Sequence, residues 1–137
     1  ASRHATFRAP EILRGIADTG YAAYLPTQIG VARARDMLLT GLTVDAPTAV
    51  DWGMVTRLVE PGDELDAAVD VAAQIARGAP EARWVVKREI NRQYPRYDRM
   101  SMEDSLYGPE PIEGFNAFKE GRNPSWVPDD LRSEGRL

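Results

Sequence analysis

Cysteine is absent from this 137-residue chain, and histidine occurs once, as His4. Without thiols there is no disulfide, no thiol nucleophile and no cysteine-built metal site, and a Ser–His–acid triad has only His4 to be built around. His4 has no acid or hydroxyl at a meaningful spacing and reads as a surface residue; no metal site is expected. Lysine is scarce: of the 17 basic residues only Lys87 and Lys119 are lysines, a bias read as codon usage. No apolar run approaches the ~20 residues of a membrane-spanning helix. The net charge is −4, with cations spread along the chain, so neither a membrane nor a nucleic acid is expected as a partner. The lack of cysteine fits a reducing compartment, and a cytoplasmic location is the expectation. An initiator methionine is also lacking. The chain opens on "ASRHATFRAP", almost at once in a strand-like stretch, and the start of the protein is expected upstream of Ala1.

What is present is ordinary for a globular domain: 43% hydrophobic and 28% charged residues. "ATFRAP" (5–10) reads as a short strand ended by Pro10. A loop with Gly15 and Gly20 follows, and Asp18 and Thr19 are N-cap residues for a helix starting near Gly20 or Tyr21, interrupted by Pro26 and Gly30. "VARARDMLLTG" (31–41) is a helix with Ala34, Met37 and Leu38 on its apolar face, stopped by Gly41. Asp45 caps a short helix to Gly53, with Pro47 in its first turn. "MVTRLVE" (54–60) alternates and is expected as a second strand. From Asp63 the pattern is helical, with Leu65, Ala68, Val69, Ala72, Ile75 and Ala76 on one face up to Gly78. A helix opened by Pro80 carries Trp84, Val85 and Ile90; "SMEDSLYG" has a Ser101–Asp104 capping pattern; "EPIEGFNAFKEGR" is a further helix before a proline-punctuated tail. Tyr24 and Trp52 read as core. A lone strand pair needs more strands or a helix layer, so the first strand implies sheet partners outside this chain.

"RAPEILRG" (8–15) sets one carboxylate, Glu11, between two arginines where the strand meets the loop. Two readings compete: an ion pair with Arg8 or Arg14, worth little at a surface, or a proton carrier. Asp18 is likewise either an N-cap or a second acid.

The order of motifs resembles the crotonase superfamily, the enoyl-CoA hydratase/isomerase family. The matching pieces are Phe-x-x-Pro-Glu at Phe7 to Glu11, Leu-Pro-x-x-Ile-Gly at Leu25 to Gly30, Leu-Thr-Gly at Leu39 to Gly41, and Ala49 to Val55. "EGFNAFKEGRNPSW" (113–126) resembles the family's closing motif, so the likeness is collinear from Ala5 to about Trp126. It implies an α/β fold, a spiral of βαβ units followed by a helical oligomerisation segment. Residues 1–62 would be the C-terminal part of that spiral and 63–137 the helices that build a homotrimer or a dimer of trimers. The upstream half of the same protein is an expected partner. It would hold the Gly-rich oxyanion-hole segment and another catalytic glutamate.

By the same resemblance, Glu11 is the catalytic acid/base. Pro10, Arg14, Asp18, Thr19, Gly20 and Tyr21 line the substrate site, and Phe118 and Arg122 reach a neighbouring subunit's CoA. The substrate would be an acyl-CoA thioester, with coenzyme A part of it and no separate cofactor. Hydration needs a base for water, an acid for the α-carbon and dipoles for the enolate oxygen. The loop departs from the family: "ADTGYAAY" (17–24) keeps one glycine where several are usual, and Gly121 stands where a lysine often precedes the arginine. The expected activity is enoyl-CoA hydration. The alternatives are enoyl-CoA isomerisation on the same fold and a non-catalytic oligomer subunit; a plain helical interaction module fits the strand and the motif order less well.

Overall fold

The first strand is shorter than the alternation of "ATFRAP" implies. In the structure, a computed structural model that describes residues 1–132, β1 is Thr6–Phe7 and pairs antiparallel with β2, Val44–Asp45, in the register Thr6 to Asp45 and Phe7 to Val44. The expected strand over 54–60 does not form. The N–H groups of Met54 and Val55 both donate to the Ala49 carbonyl, at 2.9 and 3.1 Å, and hold the chain against the preceding helix. Val59 alone reaches a ladder, as a parallel bridge to Ser2.

The helices start and stop where short polar side chains and glycines allow. Asp18 accepts the Tyr21 N–H at 2.8 Å and opens α1, Thr19–Ile29. Pro26 does not interrupt it. Its missing N–H removes one hydrogen bond, but its carbonyl accepts from Gly30 N–H at 3.0 Å, and burial of Ile29 holds the last turn. Gly30, at φ +84°, turns the chain into α2, Val31–Thr40, which Gly41 ends at φ +67°. Asp45 accepts the Thr48 N–H at 2.8 Å to start α3, Ala46–Asp51.

Further helices are α4 (Glu64–Ala76), α5 (Pro80–Asn91), α6 (Arg99–Leu106) and α7 (Pro109–Glu120). The cap of α6 is Asp98, not Ser101: its carboxylate accepts both Ser101 N–H, at 3.1 Å, and Ser101 Oγ–H, at 2.6 Å. The Ser133–Leu137 end of the proline-punctuated tail lies outside the described residues.

The core is built from α1, α2, α3 and the strand pair. Ile29, Ala34, Met37, Val44 and Ala49 are buried, with Phe7, Leu25, Trp52, Met54 and Val55 packed on them. Leu38 is half-buried beside it, and His4 is exposed. Tyr24 is not core: it is 38% exposed and packs edge-on against Tyr94 and Tyr97, with centroids 5.3 and 5.7 Å away. From the C-terminal stretch, α6 packs on α1 and α7 packs on the turn after β1. No residue of α4 or α5 is buried. None of the helices among the described residues is long and apolar enough to cross a membrane.

Candidate active site

Pro10 ends β1's extension, and its carbonyl accepts the Leu13 N–H at 3.0 Å. This folds Glu11–Arg14 into a 3₁₀ turn, closed by Gly15 at φ +72°. The turn sets Glu11 in the lining of a cavity of about 170 Å³. Ala9, Ile12, Ile16 and Ala17 line it from the same stretch, Ala22 from α1, and Leu38 and Leu39 from α2. The volume is close to the ~150 Å³ that holds one benzene ring. Asp18 and Thr19 sit at its rim.

Glu11 Oε2 is buried and has no hydrogen-bond partner. Leaving such an oxygen unmatched costs about 1–3 kcal/mol. The two arginines that sequence proximity offers as partners are engaged elsewhere. Arg8 Nε donates to the Gly41 carbonyl at 2.8 Å, satisfying the end of α2. Arg14 donates to the Leu13 carbonyl at 3.3 Å and lays its guanidinium 4.0 Å from the Phe118 ring centroid. Partial burial, and after it the charge of Arg8, hold Arg14 below the ordinary arginine value. Among the described residues Glu11 forms no ion pair. The acid thus borders an apolar hollow and has one buried oxygen unmatched by the fold.

Asp18 is committed to its cap, and Thr19 Oγ1 donates to the Asp98 carbonyl at 2.7 Å. Ala17 N–H donates to Ser105 Oγ at 3.1 Å, so α6 braces the rim from outside. Gly20 lies in the first turn of α1, where a Cβ would stand 3.1 Å from Asp18 Oδ1. Tyr21 points elsewhere: with Phe7, Leu25, Met37 and Met54 it lines a second cavity of about 320 Å³. Arg14 faces α7 rather than the Glu11 cavity.

Phe118 meets Arg14 of its own chain. Arg122 is held by Glu113 through two bonds of 2.6 and 2.9 Å and by Glu120 at 2.6 Å. These partners hold the Arg122 guanidinium above the ordinary arginine value. The Arg122 bonds, and then the Ser125 N–H, pull the Glu113 carboxyl down to about 2.

The structure therefore brings Glu11, Asp18 and Thr19 to one cavity, starts its turn at Pro10, and sets Arg14, Tyr21, Phe118 and Arg122 outside it. Sequence reasoning missed the apolar wall. Ile12 and Ile16, four apart, and the Leu38–Leu39 pair were its available signal.

The chain is similar to known proteins in sequence and in fold. The enoyl-CoA hydratase/isomerase family model matches residues 1–128. A mevalonyl-coenzyme A hydratase of Aspergillus fumigatus is 33% identical over 144 aligned positions, covering 96% of this chain and 52% of that protein. A carnitinyl-CoA dehydratase of Salmonella arizonae is 34% identical, covering 90% of this chain and 52% of its own length. The structure of a carnitinyl-CoA dehydratase from Mycobacterium avium superposes with a TM-score of 0.78 at 31% identity, over 92% of this chain and 54% of that one. The chain spans about half the length of these relatives. With the motifs in order, the fold matched and the Pro10–Glu11 turn set beside an apolar cavity, the chain belongs to the enoyl-CoA hydratase/isomerase family.

Proposed function

We propose that this chain contributes Glu11 as the proton carrier of an acyl-CoA hydratase that adds water across, or removes it from, a thioester-conjugated double bond. The observation that carries the reading is that Glu11, with its Oε2 buried and unmatched, is among the residues lining a compact apolar cavity. A carboxylate placed there takes a proton from water as hydroxyl adds to the β-carbon, or returns one as hydroxide leaves. The thioester oxygen takes up the electron pair as an enolate, and the α-carbon takes its proton from a second acid, the glutamate expected upstream of Ala1, or from Glu11 itself. The names of the relatives, a hydratase and dehydratases of CoA thioesters, support this class. Coenzyme A is then part of the substrate and no separate cofactor is required. The apolar wall suits a compact acyl group, and Pro10, Thr19 and Gly20 shape the turn and rim around it.

A second reading has one observation in its favour. Asp18 is tied into a helix cap, which leaves Glu11 the one carboxylate of the cavity lining without a bond to the fold. One carboxylate is enough to move a proton between carbons, as an enoyl-CoA isomerase does.

The deciding experiment is Glu11→Gln in the full-length protein, assayed for hydration and for double-bond migration. The expected result is a loss of turnover of about 10²–10⁴-fold, with acyl-CoA affinity near normal. Nearly full turnover in that variant removes Glu11 from the chemistry. The assembly proposed with this function is a homotrimer or a dimer of trimers, supported by the apolar residues that α4 and α5 leave exposed.

A further inference from the structure

We propose that α7, a hundred residues away in the sequence, is the positioning element for Glu11, and that Gly114 is its positioning residue. The proposal rests on the reading of Glu11 as proton carrier. The 3₁₀ turn that bears Glu11 has four residues and no side-chain cap. A turn that short has little rigidity of its own, and its place is set by what packs on it. What packs on it is α2 and α7.

The contact with α7 is backbone on backbone. Gly114 is buried in the middle of α7, and a Cβ there would stand 2.6 Å from the Arg14 carbonyl carbon. Gly15 answers it: a Cβ there would stand 2.6 Å from the Glu110 carbonyl carbon. No side chain fits between the two segments, so the depth of α7 sets the height of the turn. One helical turn beyond Gly114, the Phe118 ring lies against the Arg14 guanidinium and fixes the turn's rotation. No residue of α7 lines the Glu11 cavity. Its effect therefore reaches the cavity through the turn, and displacement of a reacting group by about 1 Å costs on the order of 10²-fold in rate.

The test is steady-state turnover of crotonyl-CoA by the full-length protein and its variants. Gly114→Ala is expected to lower kcat by about 10–100-fold with KM within about two-fold of wild type. Alanine favours the helix itself, so α7 is not weakened from within. In a Glu11→Gln background the same substitution is expected to add no further loss, because the residual rate no longer uses the carboxylate. Where Gly114→Ala fails to fold, Phe118 decides: Phe118→Leu is expected to lower kcat several-fold, and Phe118→Tyr to restore it. An unchanged kcat in Gly114→Ala, an equal loss in both backgrounds, or no rescue by tyrosine overturns the positioning role and leaves the reading of Glu11 standing. Absent turnover in wild type, or full turnover in Glu11→Gln, overturns both.

Discussion

Glu113 shows how a single half-buried carboxylate is tuned by its neighbours. Two N–H groups of Arg122 and the Ser125 N–H converge on it, and its carboxyl falls from 4.5 to about 2. A folded-state value below the unfolded one stabilises the fold above the unfolded value, and that contribution is lost as pH falls from about 4.5 towards about 2. Thermal melts of wild type and Glu113→Gln should differ most near neutral pH and converge through that acid window. A gap that ignores pH contradicts the assignment. Gly41 makes a second single-residue case. It sits at φ +67°, and a Cβ would stand 2.6 Å from Leu13 Cδ1. Gly41→Ala should cost about 1–2 kcal/mol from the left-handed backbone alone, read as a lowered midpoint in denaturant. The displaced Leu13 belongs to the Glu11 turn, so turnover should fall with it.

Helix α1 carries the rim of the cavity, and its first turn depends on Asp18. The two roles open to this acid separate by chemistry, since asparagine caps a helix about as well as aspartate but carries no proton. Asp18→Asn should keep both stability and turnover. Asp18→Ala should lose about 1 kcal/mol of stability, seen as earlier fraying of α1 in hydrogen exchange. Loss of turnover in the asparagine variant with an unchanged melting curve contradicts the cap as its main role.

At the scale of the molecule, α4 and α5 are amphipathic and uncovered. Leu65 is 73% exposed and Trp84 61%, with Val69, Ile75 and Ile90 also open. A single chain rarely leaves so much apolar surface in contact with water. Light scattering on the full-length protein should give a trimer or a dimer of trimers, and Leu65→Glu with Val69→Glu should shift it towards smaller species. A monomer in the unmutated protein counts against this assembly. α6 and α7 also make contacts within the chain, α6 at the rim through Ser105 and the Asp98 carbonyl and α7 on the turn of Glu11, while Met100, Ile112 and Phe115 stay exposed.

What the sequence by itself determined is what acts over a few residues. Asp18 and Asp45 cap helices because a short carboxylate reaches the N–H three residues on, and that geometry is contained in the local stretch. Gly41 ends a helix because it adopts positive φ. The ordered motifs from Phe7 to Trp126 were legible for the same reason, and with them the family. The tertiary structure decided what depends on distant partners. Alternation over 54–60 marks an apolar side but supplies no neighbouring strand, and the Met54 and Val55 N–H groups turn to Ala49 instead. The sequence pointed to a cap at Ser101, but Asp98 caps α6 instead, and the bond from Thr19 to the Asp98 carbonyl accompanies that cap. Glu11 had two arginines within reach along the chain, and each is drawn away, Arg8 by the end of α2 and Arg14 by Phe118. A carboxylate's partners are set in space rather than in sequence, and here space left one buried oxygen unmatched on a residue that lines an apolar cavity.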